Sequence, residues 1–238
     1  MSTVTRPTRP HLPVRPPGGC SPRCAATADD GFSLVELMVA LLVLSILLAI
    51  AIPTFLGTTA TANNRSAQVN LNTALTDAKA QFESGGQTFF VNGVQDSAGL
   101  ASVLTSAQLS LAFKAGSAGS TTSTGSSGSA TSVSIAVSAD GNGLVMAAFS
   151  LPGNCFYVID NSGGISAASQ AVAPYAGTTA VTTTAVAAPA GTIGLPTGSG
   201  ANFVTVHGDT TAADCNAYSP RTSGSPATVQ YLRSGFPL

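Results

Sequence analysis

The chain has 238 residues, a formal net charge of −1, and only 8% charged residues, against about 25% in ordinary soluble domains. Clustered Lys and Arg, which polyanion binding requires, are missing: beyond Gly31 the basic residues are Arg65, Lys79, Lys114, Arg221 and Arg233, scattered singly. Composition therefore argues against a nucleic-acid partner or an acidic substrate.

Residues 1–31 hold six prolines and four arginines without apolar periodicity. They read as a disordered, cytoplasmic leader, because positive residues beside an apolar segment favour retention inside. Cys20 and Cys24 in this leader form a C-x3-C with no second Cys or His pair near it, so no metal site is expected. Residues 32–52 are apolar except Ser33, Glu36 and Ser45. As a helix they span roughly 30 Å, enough to cross a membrane. Pro53 should kink that helix, and Gly57 lowers local propensity. Helical periodicity then resumes, with Val69, Leu71, Leu75, Ala78 and Phe82 expected on one apolar stripe, and Ser84-Gly85-Gly86 supplies a stop.

The stripe needs a cover, and the remaining chain offers strands. The expected set is Thr88 to Val94, Ser132 to Ser138, Leu144 to Ser150, Cys155 to Asp160, Ala201 to His207 and Thr228 to Arg233. The turns ADGNG and NSGG imply an antiparallel meander. A short helix is expected between Asp96 and Leu111, with an edge strand in DSAGLASVLTSAQLSL as the alternative. Two stretches of Ala, Gly, Ser and Thr, from Ala115 to Thr131 and from Ser166 to Gly200, read as long surface loops whose hydroxyls could carry glycans or stand bare. Asn64-Arg65-Ser66 matches a glycosylation sequon but falls inside a helix. If the apolar run separates cytoplasm from exterior, Cys155 and Cys215 lie in an oxidising space and could pair, or stay as two buried thiols.

Little points to catalysis. Past Gly31 the sole histidine is His207, and Asp209 two residues on cannot reach round to orient it for a serine nucleophile. Asp77, Glu83, Asp96, Asp140, Asp160, Asp209 and Asp214 lack metal-ligand spacing, and no phosphate loop or catalytic acid pair is evident. The expectation is a protein without enzymatic activity, cofactor or metal. Phe89, Phe90, Phe156 and Tyr157 are expected in the core and its cover rather than in a ligand platform.

Glu36 remains, a carboxylate in an apolar run where a charge at the bilayer centre costs ~2.5 to 3.5 kcal/mol. GFSLVE, followed by some seventeen apolar residues and Pro53, resembles the N-terminus of a type IV prepilin. The resemblance covers residues 31–56 closely and continues diffusely to residue 84. Asp29 and Asp30 before the cut, and a leader longer than is usual, depart from the family's pattern. The resemblance implies that a prepilin peptidase cuts after Gly31 and methylates Phe32, and that Glu36 aligns subunits by meeting the new amino terminus of a neighbour. Pro53 and Gly57 would mark a kink that unwinds locally on assembly. GNCFYVID with a later lone Cys further resembles disulfide-tied pilin-like heads, implying a Cys155–Cys215 bond.

The implied fold is the α+β type IV pilin fold, a long N-terminal helix packed on an antiparallel sheet with long Ala/Ser/Thr/Gly loops. Its divisions would be a removed leader (1–31), a membrane and filament-core half of the helix (32–56), an amphipathic half (57–86) and a β head (87–238). Implied partners are further copies of the chain in a helical homopolymer, the peptidase, an assembly ATPase, a platform protein and, before assembly, the membrane. A pilus subunit exposed on the cell surface is the leading expectation. A minor pilin, a pseudopilin of a secretion or DNA-uptake machine, and a signal-anchored protein that never polymerises are alternatives. Ala49-Ile50-Ala51 also fits an ordinary signal-peptidase site, which would release residues 52–238.

Overall fold

The structure, a computed structural model, describes residues 31–116, 125–151, 153–175, 186–188, 191–208, 211–222 and 227–236. Helix α1 runs from Leu34 to Ser84. Its residues up to Leu48 form one compact unit; Ala49 onward belongs, with the rest of the described chain, to a second. The helix continues through Pro53 and Gly57 without a break.

The second unit is an α+β head on the amphipathic part of α1. Helix α2 spans Ser97–Ala107 and starts at Asp96, whose carboxylate accepts the Ala98 N–H at 2.8 Å, supplying one of the donors every helix N-terminus leaves unpaired. Strands β1 (Ala112–Ala115), β2 (Ser132–Val137), β3 (Gly143–Ser150) and β4 (Asn154–Asn161) follow, then a one-turn helix, α3 (Ala167–Gln170). The remaining strands are β5 (Val186–Ala188), β6 (Gly191–Thr192), β7 (Gly200–His207), β8 (Arg221–Thr222) and β9 (Ala227–Leu232). Seven of them make one sheet in the order β1-β2-β3-β4-β7-β9-β5, while β6 and β8 pair separately.

Five expected strands lie within a residue or so of β2, β3, β4, β7 and β9, because each is a run of apolar, β-branched or aromatic residues between turn signals. The sheet is mixed rather than wholly antiparallel: β1 runs parallel to β2. The connection between them covers residues 116–131, long enough for the crossover that a parallel pair demands. Thr88 to Val94 is not a strand. Gln87 and Asn92 have φ of 62° and 54° and Gly93 has φ of 73°, so the chain turns back on itself and leaves one bridge, Val91 to Val94. The turn still seats Phe89 in the core, its N–H donating to Gly141 O at 2.9 Å.

Both sheet faces are covered, which accounts for β2 and β3 being buried along their whole length. On one face Val133, Ile135, Leu144, Met146, Phe156 and Val158 pack against α1 and α2. The α1 side of this contact is Ala67, Leu71, Ala74, Leu75, Ala78 and Phe82. Val69, expected among them, is 60% exposed; at 3.6 residues per turn it sits about 200° from Leu71 and faces away from the sheet. On the other face Val145, Ala147, Tyr157, Ile159 and Val204 pack against Tyr175, Ile193, Leu195 and Ala217. The second low-complexity stretch is thus partly cover rather than surface loop. Buried Asn161 holds it in place: Nδ2 donates to Pro196 O and Gly198 O at 2.9 and 3.0 Å, and Oδ1 accepts the Tyr175 hydroxyl at 2.6 Å. With every polar atom of the amide used, its burial carries no unpaired-group penalty.

Candidate processing and assembly site on the N-terminal helix

Gly31 and Phe32 precede α1, with open space where a Gly31 side chain would stand and Phe32 83% exposed. Ser33 O accepts the Leu37 N–H at 3.1 Å, and Glu36 lies in the first helical turn, where a carboxylate is favoured by the positive end of the helix dipole. Phe32 and Glu36 are four positions apart on the chain.

Every large apolar side chain from Phe32 to Leu56 is at least 48% exposed in the isolated chain. The apolar residues surround the axis, the pattern of a helix that requires apolar surroundings on all sides. It is long and apolar enough to cross a membrane. Its hydroxyls are satisfied from within. Ser45 Oγ donates to Leu42 O at 2.7 Å, and Thr54 Oγ1 donates to Ala51 O at 2.9 Å and to Ile50 O at 3.2 Å. Thr58, Thr59 and Thr61 bond back to Phe55 O, Leu56 O and Gly57 O. Such bonds remove the need for water along an apolar helix and bend it slightly. Glu36 is the one charged side chain between Phe32 and Leu56.

Away from this helix the other singled-out residues do not converge. Cys155 and Cys215 are bonded, fully buried, with Cα atoms 5.6 Å apart, and Ser127 N–H donates to Cys215 O beside them. His207 ends β7 with its ring edge-on to Phe156 at 6.4 Å; burial pushes its pKa down and favours the neutral ring. Asp209, Cys20 and Cys24 lie outside the described residues. Among those described, no three Cys, His, Asp or Glu side chains group as metal ligands. Asp140 is a turn residue: burial would raise its pKa, but donation from Ser138 Oγ and from the Ser166 and Asn142 N–H groups outweighs that and holds it at about 2.

Sequence reasoning took Asn64 only as part of a sequon and passed over its place in the helix–head contact. Its Oδ1 accepts from Ser150 Oγ at 2.7 Å and Asn154 Nδ2 at 3.1 Å, so the side chain serves the helix–head contact. Its spacing offered a signal, since Asn64 is three and four residues before Ala67 and Gln68 and continues the buried stripe.

Residues 28–52 match the family described as the Prokaryotic N-terminal methylation motif. With the long helix and the mostly antiparallel sheet, this match supports placing the chain with the type IV pilin and prepilin-type proteins. The chain carries a prepilin-type N-terminal motif, and its apolar N-terminal helix fits a membrane-anchored precursor. No curated protein and no solved structure matches the chain.

Proposed function

We propose that this chain is the structural subunit of a type IV pilus, cut between Gly31 and Phe32, methylated on Phe32, and polymerised through its N-terminal helix. The observation that carries the reading is the apolar helix surface around Glu36, uncovered in the isolated chain and headed by a methylation motif. In the precursor, lipid covers that surface and residues 1–31 stay on the cytoplasmic side. In the filament, neighbouring helices cover it.

Moving from lipid to filament yields no hydrophobic gain, because lipid tails are as apolar as leucine. The drive must come from close packing and from an external energy source, which is where an assembly ATPase and platform protein enter. Glu36 becomes tolerable once its charge is paired. Removal of residues 1–31 creates an ammonium at Phe32, and that group on one subunit pairs with Glu36 on the next, which sets the stagger between them. Pro53 and Gly57 give the helix a place to unwind as subunits pack. The expected end state is an extracellular filament exposing the head.

Mass spectrometry of protein recovered from sheared cell-surface fibres tests this. A chain beginning at methylated Phe32 is the expected result, and one beginning at Ile52, or intact from Met1, overturns it. Glu36→Gln should be processed normally yet give at least tenfold less fibre. Fibres lacking this chain, with a secretion defect in the deletion strain, would move the assignment to a pseudopilin.

A further inference from the structure

Polar contacts orient the head on the later part of α1. Ser150 and Asn154, which bracket the β3–β4 turn, both donate to Asn64 Oδ1, and Asn70 Nδ2 donates to Ala130 O, just before β2, at 2.9 Å. At the opposite end Lys79 Nζ lies 3.3 Å from Asp160 Oδ1, and the Phe89 N–H reaches Gly141 O in the β2–β3 turn. The end of the head nearest Leu56 therefore holds the β3–β4 turn and the start of β2. Because Ala112 pairs with Ser132, it holds the α2–β1 connection as well.

Each of these two connections carries an exposed leucine. Leu109 is 87% and Leu151 67% exposed, the two most exposed large apolar side chains among the described residues beyond Leu56. Turns ordinarily take Gly, Pro, Asn, Asp or Ser, so leucine at both is unusual. Their neighbours Gln108, Ser110, Ser150, Gly153 and Asn154 are uncharged. Glu83, Asp96, Asp140 and Asp160 gather towards the opposite end, with Lys79 and the β2–β3 turn.

The spacing along α1 says what meets this rim. The apolar run after Glu36 closes at Leu56; as helix, residues 37–56 measure about 30 Å, the thickness of a hydrocarbon core. Asn64 is about 12 Å further along the axis, of which the headgroup layer on one side of a bilayer takes about 5 to 8 Å. What remains is the reach of one or two strand residues, and Leu151 is the residue beyond Ser150.

We infer that this rim of the head rests on the phospholipid interface in the membrane-anchored precursor, with Leu109 and Leu151 seated among the headgroups. Leaving water favours both leucines, their uncharged neighbours add no charge to desolvate, and the four carboxylates are held away from lipid phosphate. Anchoring by α1 supplies a high effective concentration, so two side chains suffice where an untethered head would need a larger apolar face. Lipid is favoured over a second copy as the occupant, because the distance from Leu56 brings the rim to the interface in every anchored chain before copies meet. The inference rests on α1 spanning the membrane and not on polymerisation.

The test uses the full chain in nanodiscs of phosphatidylethanolamine and phosphatidylglycerol, one chain per disc, with methyl-labelled leucine and valine observed by NMR. Leu109→Ile and Leu151→Ile assign the two signals. Lipid carrying a nitroxide near the top of its acyl chain should remove most of the Leu109 and Leu151 methyl intensity and leave Val94, exposed at the opposite end, unchanged. Loss at residues 37–56 with Leu109 and Leu151 as sharp as Val94 would overturn this inference alone. Intact signals from residues 37–56 would overturn the membrane reading and this inference with it. Leu109 and Leu151 signals that shift only in discs holding two chains, without broadening, would assign the rim to a second copy and overturn the lipid contact.

Discussion

Asp140 shows how a short turn can carry a pH dependence. Its folded pKa of about 2 lies below the 3.8 of a free carboxyl, so the ionised form stabilises the fold above about pH 4. That contribution is lost as pH falls from 4 towards 2. Asp140→Asn should therefore lower the urea midpoint at pH 7 and flatten the fall in midpoint between pH 4 and pH 2; an acid limb as steep as wild type would refute the assignment. Gly143 in the next strand is constrained by space, since a Cβ there would collide with Ile165 and the Tyr175 hydroxyl. At this scale the sequence was informative where a pattern is local, as in the ADGNG turn that holds Asp140. It was silent on Lys79–Asp160, because partners 81 positions apart leave no local pattern.

Helix α1 is two elements in one. Its N-terminal part is apolar on every side, and its later part has one buried stripe, which makes the two kinds of valine and leucine separable by mutation. Leu71 is fully buried, so Leu71→Ala should destabilise the head by about 2 to 5 kcal/mol. Val69→Ala, on the exposed side, should change stability by less than about 0.5 kcal/mol. Urea denaturation in detergent compares the pair, and equal losses would mean that the stripe is misassigned. Periodicity located this helix and the five longer strands because each carries its own apolar pattern. It missed β1, β5, β6 and β8, segments of two to four residues that are strands by virtue of distant partners. It took Thr88 to Val94 for a strand because Phe89, Phe90, Val91 and Val94 suit one, whereas the positive-φ pair Asn92-Gly93 inside that run decides for a turn.

The head as a whole is a sheet between two covers of different kinds. One is helical and built from regular side-chain spacing. The other is irregular, drawn from residues 165–175, 191–199 and 211–218, and rich in Ala, Gly, Ser and Thr. The weaker patterning of the second cover makes a covalent tie valuable, and Cys155–Cys215, 60 positions apart, joins it to β4. Closing a loop of that length is worth about 4 kcal/mol on the chain-entropy account. Cys155→Ala with Cys215→Ala should lose stability of that order, seen as a lower urea midpoint, and wild type under reducing conditions should match it. Tolerance of the double variant within about 0.5 kcal/mol would show that Asn161 and the apolar contacts hold the cover unaided.

Strand β4 touches everything that matters mechanically. It lies between β3 and β7, meets α1 at both ends, and carries the disulfide to the opposite cover. A pull on α1 along its axis would reach the head as a force parallel to β4. The hydrogen bonds to β3 and β7 would then be loaded together, in shear, instead of opening one after another. The head is thus joined to its helix through the strand best placed to bear tension.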